Sequence, residues 1–167
     1  MRLLVILFLA FALNSTIQPQ RLYEDRILPF DGEHGDQFGR YLAVNDSFLF
    51  VSSIFHNDDK GTVYIYKRRG NGWEFFEKIS NPDIEPYEHF GIVHVSQNYL
   101  FVDAVHKHVN GYTDVGAVYV YKYEDSSWVE KQKIIPDTAQ FYLLFGCLNL
   151  FHKKPYRSYN VASESVT

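Results

Sequence analysis

The chain has 167 residues, of which 46% are hydrophobic, 17% aromatic and 22% charged, a composition that can bury a core and excludes a disordered chain. Its formal net charge of -4, with Lys and Arg dispersed along the sequence, leaves no concentrated positive field for a phosphate backbone and so excludes nucleic acid as a partner. A single cysteine, Cys147, excludes an intrachain disulfide, so stability has to come from packing.

Residues 1–20 read as a secretory signal peptide. Arg2 precedes an apolar run from Leu3 to Leu13, and Asn14, Ser15 and Thr16 follow. That run of eleven residues is short of the roughly 20 that a membrane-crossing helix needs, so cleavage and secretion are expected, with no stable membrane span. From Arg21 onward the aromatic and β-branched residues favour strands. A lone outer strand is expected at Tyr23 to Leu28. Apolar alternation then marks strands at Phe38 to Val44, Phe48 to Ser52, Thr62 to Lys67 and Trp73 to Ile79. The series begins again with Phe90 to Val95, Tyr99 to Ala104, Ala117 to Lys122 and Trp128 to Ile135. Short polar links, Asn45-Asp46-Ser47 and Ser96-Gln97-Asn98, have hairpin size, and Gly70-Asn71-Gly72 tolerates positive φ.

The two series are one pattern written twice. Asp36-x-Phe38-Gly39 returns as Glu88-x-Phe90-Gly91, 52 residues on, and Phe145-Gly146 comes 55 residues later still. Gly61-x-Val63-Tyr64-Ile65-Tyr66 returns as Gly116-x-Val118-Tyr119-Val120-Tyr121, and Trp73 as Trp128, each at a step of 55. Recurrence of four strands at such a period is the signature of propeller blades. In the third strand Val63 and Ile65 face one way and Tyr64 and Tyr66 the other, so both faces of the sheet require cover. A sandwich would also supply it, but the strict recurrence favours stacked blades. The expected fold is all-β: a partial β-propeller of about two four-stranded blades, with the outer strand before them and the start of a third blade after. Blade one occupies about 36–84 and blade two about 88–137, within a repeat region 21–146, and 147–167 is a degenerate or disordered tail.

These residues resemble the FG-GAP repeat of integrin α-subunit β-propellers. The resemblance covers about Arg21 to Gly146 and implies a bladed fold, commonly of seven blades, that is extracellular and used for binding or adhesion. Two features depart from the family. Ser52-Ser53-Ile54 and Asp103-Ala104-Val105 stand where the family has Gly-Ala-Pro. The nearest approaches to its calcium loop, Asn57 to Gly61 and Asn110 to Asp114, offer too few regularly spaced oxygens for a calcium cage, so they are read as polar turns and no metal is expected. Two blades also fall short of the four to eight that close a ring. The chain therefore reads as a truncated or frame-shifted product, with a degenerate but functional short form as the alternative.

No nucleophile, base and orienting group fall into a recognisable arrangement, and phosphate-cradling glycine loops are absent from the sequence. Neither catalysis nor a cofactor is expected. Asp36 and Glu88 lie in separate repeats and read as acceptors for nearby backbone amides, not as an acid/base pair. His106-Lys107-His108 invites a metal reading, since alternate strand residues share a face. The stronger reading is an inserted loop, because Val102 to Gly116 spans 14 steps where Val51 to Gly61 spans 10. Loops on rigid scaffolds carry binding, so His106, Lys107, His108, Asn110, Tyr112 and Asp114 are the candidate partner contacts. The partner is an unidentified protein or glycan, with self-association through exposed blade faces as a further expectation. Asn45-Asp46-Ser47 is a glycosylation sequon in a predicted turn. The reading from sequence is thus a secreted, non-enzymatic binding or adhesion module; the alternatives are a remnant of a propeller-type hydrolase, which lacks its Ser-x-Asp-x-Gly-x-x-Trp signature here, and a non-functional truncated product.

Overall fold

The computed structural model describes residues 26–138 and 144–146. Two antiparallel four-stranded sheets make up the fold, each a simple meander. The first contains β1 (Phe38–Val44), β2 (Phe48–Ser53), β3 (Thr62–Arg69) and β4 (Gly72–Ile79). The second contains β5 (Phe90–Ser96), β6 (Tyr99–Ala104), β7 (Ala117–Glu124) and β8 (Ser127–Ile134). Every strand lies where alternation places it. Irregularities recur at matched positions too: the ladders slip next to Phe38 and Phe90, where Gly39 and Gly91 have positive φ, and again at Ile65/Tyr66 and Val120/Tyr121. Such bulges bend and twist each sheet in the same way, which lets one be laid on the next.

Alternation in β3 decides what each face meets. Val63 and Ile65, with Phe48 and Phe50, enter the main core against Leu100, Val102, Tyr119, Tyr121 and Trp128 of the second sheet. Tyr64 and Tyr66, with Val51, form a separate cluster on the opposite face, covered by Ile27 and Phe38. The faces that meet are not equivalent. Phe50, Val63 and Ile65 of the first sheet correspond by repeat to Phe101, Val118 and Val120, which lie outside that core, whereas the Tyr119 and Tyr121 that do meet it correspond to Tyr64 and Tyr66. Front packs on back, as in successive blades and unlike the pairing of equivalent faces. Aromatic contacts seal the seam, with Phe50 and Phe48 edge-on to Trp128 at 5.1 and 5.5 Å.

The start of each repeat docks on its predecessor through one glycine. Phe90 donates its amide to the Lys60 carbonyl at 2.8 Å, and Phe145 donates to that of Val115 at 2.7 Å. A Cβ on Gly61 would stand 2.0 Å from the Phe90 carbonyl oxygen, and one on Gly116 would stand 2.2 Å from that of Phe145. Both glycines also have positive φ, so chain approach and backbone conformation each require the missing side chain. Phe145-Gly146 therefore docks on the second sheet in the manner in which Phe90-Gly91 docks on the first. Beneath Gly146 lies Asp103, which is 3% exposed; burial raises its carboxyl to about 7, and the His94 imidazole is 3.8 Å away. Its counterpart beneath Gly91 is the uncharged Ser52, whose hydroxyl accepts the Tyr41 amide.

The leading strand expected at Tyr23 to Leu28 is not formed over Arg26 to Leu28. Each described sheet already has four strands, so this segment has none to join. Instead Ile27 packs on the outer face of the first sheet, and the Tyr66 hydroxyl donates to the Leu28 carbonyl. The expected signal peptide, Tyr23 to Asp25 and the tail 147–167 with Cys147 lie outside the described residues.

Candidate functional site

In a meander the links alternate between two ends. The β2–β3 and β6–β7 loops and the segments entering β1 and β5 gather at one end, and the tight turns at the other. Among the described residues the loop end holds several linked polar networks, and these too are repeated.

Asp36 and Glu88 sit at its base, 7% and 1% exposed. Each accepts a backbone amide three residues before it, from Glu33 and Glu85. Asp36 also binds the β2–β3 loop and Glu88 the β6–β7 loop. Asp36 meets the His56 Nδ1 at 2.7 Å, and Glu88 meets the Lys107 ammonium at 2.9 Å while accepting the His108 amide. Main-chain carbonyls complete the clasp, with Phe55 donating to Asp36 and His106 to Glu88. A carboxylate this buried is tolerated only because it is paired and hydrogen-bonded.

A second acid lies five residues earlier in each repeat. The Tyr64 hydroxyl and the Lys78 ammonium both donate to Asp31 at 2.6 Å; Tyr119 and Lys133 do the same to Asp83 at the same distance. Burial would raise both carboxyls, but the lysine and tyrosine hydrogen bonds outweigh it and hold them below the usual carboxylate range. The phenols move the opposite way, since burial and the neighbouring carboxylate drive Tyr64 and Tyr119 far up. In the first repeat the two networks fuse, because the Lys78 Nζ is 2.9 Å from the His56 Nε2. The tautomer that donates from Nδ1 to Asp36 and accepts at Nε2 from Lys78 satisfies all three groups. Its Nε2 lone pair is therefore directed at an ammonium, not at a hydroxyl nucleophile.

This network walls a cleft of about 770 Å³ that also includes Glu33, His34 and the acidic turn Asn57-Asp58-Asp59. Those three turn residues all have φ near +60°, a left-handed turn that Asn and Asp accept more readily than other side chains. Among the described residues no group of three His, Cys, Asp or Glu side chains is placed to hold a metal ion.

The matching loop of the second repeat is longer and is built in two parts. Its root is fixed: Lys107, 6% exposed, binds Glu88 and the Asp83 carbonyl, and His106 Nδ1 meets Asp114 at 2.8 Å. His106 also packs edge-on against His89, whose imidazole is held below its usual range by burial and then by the His106 charge. The tip is a small hairpin in which Val109 and Tyr112 exchange both backbone hydrogen bonds around Asn110-Gly111. Both central residues have positive φ, which is why Asn-Gly stands there.

The six candidate contacts thus divide. His108, Asn110 and Tyr112 are exposed on or beside the tip, Asp114 is half-buried, and Lys107 and His106 serve the root. Asn45 is at the other end, where its Oδ1 caps the β1–β2 turn by accepting the Ser47 and Phe48 amides. Sequence reasoning missed Asp31, His56, Lys78, Asp83, His89 and Lys133. Four of them carried a signal: Asp31 and Asp83 recur at 52 residues, and Lys78 and Lys133 at 55. His56 carried none, because its counterpart is Lys107.

Among curated proteins and among solved structures, no significant match to this chain is found. Residues 23–66 do match a family, the FG-GAP repeat. That span covers the approach to β1, the strands β1 and β2, the acidic turn and most of β3, and the second sheet repeats its plan from Asp83 to Tyr121. The chain thus carries a match to the FG-GAP repeat over residues 23–66 and folds as two successive four-stranded, propeller-like blades.

Proposed function

We propose that this chain is a secreted, non-enzymatic module for extracellular binding or adhesion, and that its partner contact is the loop between β6 and β7. The observation that carries the reading is the contrast within that loop. A root fastened by the buried Glu88–Lys107 pair holds an exposed Asn110-Gly111 hairpin at a fixed place. A rigid scaffold presenting a polar and aromatic tip is suited to recognition, because little conformational freedom is lost on binding. Chemistry finds less support at the loop end, where the buried carboxylates are occupied by cations, tyrosine hydroxyls and amides.

The test replaces residues 108–113 by a short turn like that of the first repeat and compares adhesion of cells to immobilised protein. Adhesion lost with an unchanged β-sheet circular dichroism spectrum supports the assignment; equal adhesion refutes it. Secretion belongs to the same reading and rests on the Arg2-then-apolar pattern of residues 1–20; amino-terminal sequencing of exported protein that returned Met1 would remove it. Modification of Asn45 in that compartment is expected to appear as a mass shift abolished by Asn45→Gln. Self-association through exposed apolar positions such as Leu42 and Val44 completes the proposal, and sedimentation showing a monomer at every concentration would remove that part.

A further inference from the structure

The two long loops meet at the seam between the blades, and they meet around His89. This residue stands where the first repeat has the uncharged Gln37, and the two share a left-handed backbone, with φ of 53° and 55°. Histidine accepts that region more readily than most side chains. The His89 amide donates to the Asp59 carbonyl at 3.3 Å, which fastens it to the β2–β3 loop. Its half-buried ring packs on two others. One is Phe55 of that loop, at 4.9 Å; the other is His106, at the root of the β6–β7 loop, perpendicular and also at 4.9 Å. Phe55 and His106 are counterparts, because their amides donate to the Asp36 and Glu88 carbonyls.

Among the described residues, the charged and titratable groups around this contact come from three elements. The β2–β3 loop supplies Asp59, and the β6–β7 loop supplies Asp114, which accepts from the His106 Nδ1 at 2.8 Å. From β1 come Arg40 and Tyr41, which line a crevice of about 240 Å³ together with both imidazoles. Glu88 and Lys107, adjacent in sequence to the two histidines, neutralise each other at 2.9 Å.

An uncharged His89 packs against both rings as an aromatic. A protonated one stands beside a His106 that Asp114 holds when it too is charged, and two like charges in a half-buried seam disfavour the contact. Burial, and then the His106 charge, hold the His89 imidazole below its usual range; Asp59 and Asp114 pull the other way but are outweighed. The closed seam thus takes up the proton less readily than an open one. Closure is complete above the ordinary imidazole range and weakens as pH falls through and below it. His89 is tied by its own amide to Asp59, and Phe90 by its amide to Lys60, so the side that yields is His106 with its loop.

We propose that His89 and His106 form an acid-sensitive latch, which holds the root of the β6–β7 loop on the first blade at neutral pH and frees it when both rings are protonated. The first repeat has no such device at the matching place, because Gln37 and Phe55 do not titrate. If the loop is the partner contact, binding weakens in acid; that consequence rests on the function proposed above, whereas the latch does not.

Hydrogen exchange followed by nuclear magnetic resonance tests the latch in the full chain with no partner present, so its result is independent of what the loop binds. The readout is protection of the His106 and His108 amides, which donate to the Glu88 carbonyl and carboxylate. It is corrected for intrinsic exchange and compared between about pH 7.5 and about pH 5, the range in which an imidazole changes charge. Protection of both amides is expected to fall in acid, while the paired Leu100 and Tyr121 of β6 and β7 keep theirs. His89→Phe keeps a ring in the seam that takes no proton, and His106→Phe copies the first repeat; each should abolish the fall with the β-sheet circular dichroism spectrum intact. A wild-type chain whose protection does not fall, or a folded variant in which the fall persists, overturns the proposal.

Discussion

The two blades share a plan and differ in how they fasten their long loops, and the difference shows what the plan requires. In the first blade Asp36 is held by His56, in a network that opens into a solvent cleft. In the second, Glu88 is held by Lys107, and both are almost fully buried. A longer acid and a longer base span the same place and leave their loop free to extend into a hairpin. The fold thus demands an acid two residues before Phe-Gly and a nitrogen-bearing side chain from the β2–β3 or β6–β7 loop to donate to it. It does not specify which.

Removing the partner in each blade should separate the two cases most strongly. Lys107→Met strands a carboxylate at 1% exposure, and loss of one member of a buried pair costs about 3–5 kcal/mol. His56→Ala leaves Asp36 its Glu33 amide and nearby solvent, so about 1.5–3 kcal/mol is expected. Urea denaturation of both variants measures the gap; equal losses would show that the two clasps are interchangeable.

The docking glycines sharpen the comparison at the next level. Gly61→Ala drives a methyl into the Phe90 backbone and should cost more than the roughly 1–3 kcal/mol of an unfavourable φ alone. Gly116→Ala meets the Phe145 backbone and should destabilise less because fewer described contacts depend on that junction. Thermal unfolding in which Gly116→Ala proved the more damaging would reverse this ranking.

A third difference is a matter of pH. Asp103 is raised by burial to about 7, against an ordinary 3.8, so the folded state retains a proton that the unfolded state releases. Stability from this group is present in acid and is lost as pH rises from about 4 to 7, by at most about 1.4 kcal/mol per pH unit. Asp103→Ser, which installs the residue of the first blade, should flatten that slope and stabilise the protein at pH 8. A variant with an unchanged slope would remove Asp103 as its origin. The smallest effect is expected at Asp31, whose pair with Lys78 is partly exposed: Asp31→Asn should cost no more than about 1 kcal/mol by urea denaturation.

Much of the architecture was legible in the sequence because a strand's period of two and a repeat of 52 to 55 residues are both written in side-chain type. Val63 and Ile65 against Tyr64 and Tyr66 gave the two faces, and Phe-Gly gave the start of each blade. The buried networks were harder to read. Asp36 and Glu88 were legible as amide acceptors, but their side-chain partners were not, since His56 and Lys107 are different residue types 20 and 19 positions away. Lys107 shows the limit of composition: in a run of His-Lys-His it reads as exposed, and only the fold turns it inward to Glu88. The aromatic seam at Trp128 was illegible for a related reason, because its rings come from two blades that meet only after stacking.

All of this rests on front-to-back stacking of the two sheets. Nuclear Overhauser contacts test it directly. Front-to-back stacking predicts cross-peaks from the Phe50 and Phe48 rings to the Trp128 indole, together with contacts between the Phe90 amide and Lys60–Gly61. Cross-strand contacts between Thr62–Arg69 and Ala117–Glu124, as in one continuous sheet, or Phe50 facing Phe101 across equivalent faces, would contradict it.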